Sequence, residues 1–312
     1  MTRGQRWIIA LLIVAVVLVG AVVGSLYLAR FRMTDLGSIP SLAAGNDTYV
    51  LVGSDSRQNL PDDLEGKFGD FSGARADVII LMQVTDGVRQ MISIPRDLKV
   101  DIPGHGTNKI NAAYAFGGPD LLVETLTAET GVPINHYVEV GFGGLAGIVD
   151  AVGGIELDFP APARDLKSGL QVDQAGSQVV DGATALAYAR SRHYEEKRDG
   201  EWVPAGGNDI ARTGRQREVL MKIVDKASSL SGVVRSPVLL TRVTGNLSVD
   251  STVSPYRLVR TAWAFRSAGE TQAVSLPVKT SSEGGVSYVV RQEPEATNML
   301  EAFAAGRPLP GE

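Results

Sequence analysis

The 312-residue chain has no cysteine, which excludes disulfides, thiolate nucleophiles and cysteine metal sites. It has only three histidines, His105, His136 and His193. They are scattered and do not form the ligand set that zinc requires. Positive charge is scarce as well: the chain carries −5 overall. The first 32 residues hold Arg3, Arg6, Arg30 and Arg32 and no acid, so the remaining 280 carry −9. A domain of that charge lacks the positive field that a phosphate backbone needs, and no nucleic-acid partner is expected. Internal repeats, low-complexity tracts and a helix-turn-helix signal are also missing, which weighs against direct gene regulation. The 44% apolar content is that of an ordinary packed domain.

One long apolar run is present. "WIIALLIVAVVLVGAVVGSLYLA", residues 7–29, is 23 residues without a charge. It is long enough for a hydrocarbon core of about 30 Å. A cleavable signal peptide has a shorter apolar centre, roughly 7–15 residues, followed by small residues. Here the run ends in "RFR". It predicts a single membrane-spanning helix after a cytoplasmic tail, 1–6, with the rest outside the cell. Residues 30–46 read as a linker and 47–308 as one folded domain.

Within that domain "TYVLVG" (48–53) and "DVIILMQV" (77–84) read as buried strands. "VRQMISIP" (88–95) follows Asp86-Gly87, a hairpin signal. Residues 117–131 read as a helix, as do "GGLAGIVDAVGG", 208–229, "PVLLTRVT", "YRLVRTAWAFRS" and 294–305. "INHYVEV", "IELDFP", "TQAVSLP" and "VSYVVRQ" read as strands. "DGATALAYARSR" reads as one helical turn passing into an extended segment. Residues 194–207 lack periodicity and suggest a flap anchored by Trp202. Strands and helices alternate, which predicts an α/β (α+β mixed) architecture: a central mixed sheet covered by helices.

Connectivity points to a site. If the first two strands run antiparallel, their loop brings Asp55 and Asp77 to one edge of the sheet. The Asp86-Gly87 hairpin returns "PRD" to the same edge. Arg57, Arg75, Arg96 and Asp97 should then gather around the two aspartates. Carboxylates beside guanidinium groups suit a hard divalent cation with an anionic ligand. Structural ion pairing at strand ends is the competing reading. Lys109, in "HGTNKIN", could approach a phosphate, but on spacing alone a solvated lysine in a helix-leading loop is the better reading.

Five arginines crowd into "YARSRH" (188–193) and "NDIARTGRQRE" (208–218). In an extended "YARSR", Arg190 and Arg192 share a face. In the helix that Asn208 or Asp209 would cap, Arg212 and Arg215 share another, beside Gln216. Cations in a helix's first turns oppose its dipole. An external anion would satisfy both the dipole and the guanidiniums. Neutralisation by Glu195, Glu196, Asp209 and Glu218 is the alternative.

The blocks "VLVGSDSR", "RADVIILMQV", "MISIPRDLKVDIPGHGTNKINAAYAFGG", "VPINHYVEVGFGGLAGIVDAVGGIELDFP", "ALAYARSRH" and "DIARTGRQR" occur in one order over about 48–228. Together they resemble the LytR-CpsA-Psr family. The resemblance implies an α/β sandwich with an apolar cleft, held at the cell membrane by its N-terminal helix with the catalytic domain extracellular. It implies transfer of a glycopolymer from a polyprenyl-pyrophosphate carrier to peptidoglycan through a phosphodiester link. By motif, Asp55 and Asp77 match magnesium-associated aspartates, with manganese as a substitute ion. Arg96, Arg190, Arg192 and Arg212 match pyrophosphate contacts, and Asp209, Arg215 and Gln216 belong to the last motif. Ala211 stands where a glycine is common. Arg57, Arg75 and Lys109 complete the expected anion site, with Arg96, Asp97 and Asp209 as catalytic candidates. A carrier hydrolase and a non-enzymatic lipid sensor remain alternatives.

Overall fold

A computed structural model describes residues 24, 26–45, 48–54, 75–85, 88–206, 209–229, 237–267 and 271–310. The apolar run 7–29 lies mostly outside them. Among the described residues no helix is long and apolar enough to cross a membrane.

The elements in chain order are α1 (residues 26–32), β1 (Thr34–Asp35), β2 (Thr48–Ser54), β3 (Ala76–Thr85), β4 (Val88–Ile94), β5 (Lys99–Ile102), β6 (Gly106–Lys109), α2 (Ile110–Thr130), β7 (His136–Val140), α3 (Phe142–Ala151), β8 (Ile155–Phe159), β9 (Ala163–Asp165), β10 (Leu170–Val172) and β11 (Gly176–Val180). There follow α4 (Gly182–Arg190), β12 (Glu195–Arg198), β13 (Glu201–Pro204), α5 (Asp209–Ser229), α6 (Pro237–Thr244), β14 (Ser248–Val249), α7 (Pro255–Ser267), β15 (Thr271–Ser275), β16 (Val278–Glu283), β17 (Val286–Arg291) and α8 (Glu295–Ala304).

The main sheet has seven strands in the order β1-β14-β7-β2-β3-β4-β15. It is mixed: β2 is antiparallel to β3 and parallel to β7, and β4 is antiparallel to β3 and parallel to β15. Side chains alternate faces along each strand. Val50, Val52, Ile79, Leu81, Ile92 and Ile94 pack on one face with α2 and α8 through Leu122, Leu126, Leu300 and Phe303. Tyr49, Ile80, Met82, Met91 and Val138 pack on the other with Met33 and Val253, and with Leu220 and Met221 of α5 and Leu258 of α7. Both faces are therefore covered, which explains why the strands read as continuous apolar runs. A separate core joins α3, α4 and α5 to β8, β9 and β10.

Three expectations need correction. Residues 30–45 are not a free linker. β1 joins the sheet edge through parallel pairing with β14, and Met33 and Ile39 are buried, because these apolar side chains gain more from the core than from solvent. "GATALAYAR" is a nine-residue helix, not one turn leading into an extended segment. Asp181 caps it by accepting from the Thr184 N–H at 2.8 Å, and its alanines favour helix. Arg190 ends that helix, so Arg190 and Arg192 do not share a strand face. Residues 194–207 contain a hairpin, β12–β13, which extends β9–β10 into a four-stranded sheet. Trp202 there lies 4.3 Å from the Arg164 guanidinium. One further difference is that α2 begins at Ile110, well before residue 117.

The turn after α4 is fastened by Asp165, which is 1% exposed. Its Oδ2 accepts from Ser191 Oγ at 2.7 Å and from the N–H groups of Arg192 and His193 at 2.9 and 2.8 Å. Its Oδ1 accepts from the Lys167 and Ser168 N–H groups. Burial alone would raise this carboxyl, but the hydrogen bonds from Ser191, His193, Lys167 and Ser168 outweigh it and hold the pKa below the usual carboxylate range. An acid held below its unfolded pKa adds stability above that value and loses it as pH falls through the folded one. Asp165→Asn turns an NH₂ toward donors, and should lower stability by about 1–3 kcal/mol at pH 7. Thermal melts from pH 7 downward check this: the wild-type advantage over Asp165→Asn should shrink in acid, and a constant gap would refute the assignment.

Candidate active site

The carboxyl ends of β2, β4 and β7 and the amino end of β3 meet at one edge of the sheet. Ligands of open α/β sheets bind at such an edge. Asp77, second residue of β3, accepts from Arg96 Nη1 at 2.6 Å. Both side chains are 14% exposed. Arg96 Nε lies 3.7 Å from Asp97, and Asp97 Oδ1 lies 2.9 Å from Lys109 Nζ. The result is an alternating row, Asp77–Arg96–Asp97–Lys109. It follows from the antiparallel β2–β3 and β3–β4 pairings, as connectivity required. The Asn111 N–H donates to the Arg96 carbonyl at 3.2 Å and ties the start of α2 to this row. Asp55 and Arg57 lie outside the described residues.

Two cavities open at this edge. The first, about 450 Å³, is the more polar and is lined by Arg75, Arg96, Asp97, Lys109, Asn111 and Arg192 among others. The second, about 210 Å³, lies between the sheet and α3–α6, with Leu51, Val78, Val138, Leu145, Leu186 and Leu220 in its wall. Asp77, Arg190 and Gln216 also line it. Asp77 and Arg190 line the apolar cavity and Arg96 and Arg192 the polar one, so the Asp77–Arg96 ion pair stands between the two spaces. Five cationic side chains and two carboxylates line the pair. An acidic protein has thus concentrated positive charge at one place, the condition for holding an anion by local charge.

The remaining residues of the last motif divide. Arg212 and Gln216 are one helical turn apart on α5 and buried, at 2% and 8% exposure. Gln216 Oε1 is buried with no hydrogen-bond partner among the described residues. Arg215 serves the chain itself. It donates to the carbonyls of Gly206 and Ser191, and its guanidinium lies 5.8 and 5.1 Å from the rings of Tyr188 and Tyr194. Burial lowers its pKa. Burial also raises both tyrosines, Tyr194 to about 12. Tyr188 stays a phenol and donates to Glu218 at 2.9 Å. Neither cavity is lined by Arg215, so it braces the turn that carries Arg192. Asp209 opens α5.

Two groups escaped the reading of the sequence. Asp165 carried no signal beyond its place in a turn-like "RDLKSG". Glu139, a charge inside the apolar strand "HYVEV", was a visible anomaly. It is buried, accepts from Ser54 Oγ at 2.6 Å and Tyr114 at 2.8 Å on Oε1, and from Tyr137 at 2.9 Å on Oε2. Burial, reinforced by the Glu139 charge, holds Tyr137 well above its ordinary pKa. Glu139 thereby locks the end of β2 to β7 and α2 immediately before Asp55.

Comparison with known proteins finds relatives along most of the chain. A probable cell wall biosynthesis protein, LcpB of Corynebacterium glutamicum, is 38% identical over 256 residues, 80% of this chain but 58% of the relative's length. The polyisoprenyl-teichoic acid–peptidoglycan teichoic acid transferase TagU of Enterococcus faecalis is 36% identical over 244 residues, 76% of this chain and 74% of the relative. Among solved structures, the LytR-Csp2A-Psr enzyme from Actinomyces oris superposes with a TM-score of 0.69 at 27% identity, covering 88% of this chain and 96% of that one. The LytR_cpsA_psr family model matches residues 35–305, which include both cavities and every described site residue, and the chain belongs to the LytR-CpsA-Psr family.

Proposed function

We propose that the protein is a phosphotransferase of cell-envelope assembly. It moves a glycopolymer from a polyprenyl-pyrophosphate carrier to a peptidoglycan hydroxyl and leaves a phosphodiester link. The observation that carries this reading is the adjacency of the two cavities: an apolar slot and a cation-lined space lie on either side of the Asp77–Arg96 ion pair. An amphiphile with an isoprenoid tail and a pyrophosphate head matches both halves. The transferase named among the relatives acts on a polyisoprenyl-linked polymer and peptidoglycan.

In the transfer, the acceptor oxygen attacks the phosphorus that bears the polymer. The bond from that phosphorus to the bridging oxygen breaks, and polyprenyl phosphate leaves with the electron pair. Such a reaction depends on positioning and charge neutralisation more than on covalent catalysis. Arg190 in the apolar cavity and Arg96 and Arg192 in the polar one offset the pyrophosphate charge and the charge that grows on the leaving phosphate. Arg75 and Lys109 extend the same field, and Arg212 is buried on α5 one turn before Gln216, which lines the apolar cavity. The acceptor proton passes to a carboxylate. Asp97 stands in the polar cavity for this role, and Asp209 is the second candidate.

Magnesium, or manganese in its place, belongs to the proposal. Among the described residues no group of three carboxylate or histidine side chains converges. One or two carboxylates with the substrate's own phosphates suffice for Mg²⁺, and Asp77 lines the apolar cavity beside Arg96 of the polar one. Asp77 and Asp55 would hold the ion, which supplies charge neutralisation to the phosphates. The apolar run 7–29 is proposed to span the cell membrane once, with the N-terminus cytoplasmic and the domain outside, beside its lipid-borne donor.

Arg190→Ala and Arg192→Ala should each slow polymer transfer by about 100- to 1,000-fold. A mass-resolved turnover assay with a defined carrier-linked glycan, run beside circular dichroism, checks this. Full transfer by both variants would refute the site, and release of polymer to water without acceptor would identify a hydrolase. Chelation should stop turnover and added Mg²⁺ should restore it; undiminished activity after exhaustive chelation would remove the metal from the proposal. In intact cells, external protease should digest the domain, and protection of it would reverse the assigned orientation.

A further inference from the structure

One wall of the polar cavity carries a feature that phosphate binding leaves unused. α2 breaks just after Phe116: Gly117 has φ −141° and ψ 18°, and Gly118 has φ 65° and ψ −153°. The positive φ at Gly118 lies where glycine is favoured, so the break is written into "FGGP". It leaves Phe116 48% exposed and lining the cavity. His105, in the turn between β5 and β6, stacks on that ring with centroids 4.7 Å apart and planes 15° from parallel. Asn108 and Asn111 line the same cavity. Their carboxamides can both donate and accept hydrogen bonds.

An exposed, flat aromatic pair beside two carboxamides is poorly suited to an anion, which the arginines and Lys109 already serve. It is well suited to a pyranose. The C–H face of the ring lies against the aromatic plane, and the hydroxyls meet the amides. We propose that Phe116 and His105, with Asn108 and Asn111, form a saccharide subsite that holds one sugar ring beside the point of phosphoryl transfer. This rests on the proposed glycopolymer function and adds where a sugar is read. The ring belongs either to the carrier-linked donor or to the acceptor glycan; the shared chemistry is a pyranose, and the arms of the test separate the sources.

The full chain in detergent is titrated with three probes: octaprenyl pyrophosphate, octaprenyl pyrophosphate bearing a disaccharide, and a soluble uncrosslinked peptidoglycan strand. Phe116→Ala should weaken at least one sugar-bearing probe by about tenfold, the scale of truncating one buried contact residue, and leave the sugar-free carrier unchanged. Phe116→Trp, which keeps a flat ring, should retain affinity. Loss on the lipid-linked disaccharide assigns the ring to the donor, and loss on the strand assigns it to the acceptor. Unchanged affinity for both sugar probes, or equal loss on all three in both Phe116→Ala and His105→Ala, overturns the subsite. If the wild type binds neither lipid probe, the functional reading fails, while strand affinity still decides the subsite.

Discussion

Guanidinium groups held close together repel, and much of the structure around this site keeps them close. Arg96 is fixed by Asp77 on one side and Asp97 on the other. Arg192 has its backbone N–H fastened by Asp165, and Arg215 donates to the Ser191 carbonyl from the opposite side. Ordering these cations before any ligand arrives removes a large entropic cost from binding. A carboxylate that accepts several N–H and O–H donors, as Asp165 does, makes a rigid anchor because each bond is charge-assisted.

The apolar and polar halves of the site depend on different parts of the fold. The polar half is built on strand ends and on the β5–β6 hairpin leading into α2. The apolar half lies between the sheet and α3–α6, on the layer opposite α2 and α8. Asp77 and Arg96 stand where the halves touch. A ligand that spans both must straddle this ion pair, and the charge there sets the boundary between its greasy and its ionic portions.

Part of this was legible beforehand, and for physical reasons. The gathering of Asp77, Arg96 and Asp97 follows from local hairpin grammar, since a short turn leaves its strands no choice but to run antiparallel. The coverage of both sheet faces follows from near-continuous apolar strands. The rest depends on non-local pairing. β9, β10, β12 and β13 are three or four residues each and leave no periodic trace. Asp165 works through one hydroxyl and two backbone donors 26–28 residues away, which no spacing rule reveals. "YARSR" admitted a period-two reading because its arginines alternate with small residues; the alanines before it and the Asp181 cap favoured helix instead. Arg215 matched the motif, yet its bonds place it in the scaffold.

The early entry of the chain into the sheet has a mechanical meaning. Residues 30–33 separate the end of the apolar run from β1, and even fully extended, four residues reach only about 14 Å. Three of them are the last helical residues and the fourth is the bend that follows, so the real leash is shorter. With residues 7–29 seated in a bilayer as proposed, the domain has almost no slack. On that footing it could not swing outward to search distant layers of the wall, and material would have to be brought to it at the membrane surface. Working radius, not affinity alone, would then decide which glycan strands it modifies, and newly made strands close to the bilayer would be the ones within reach.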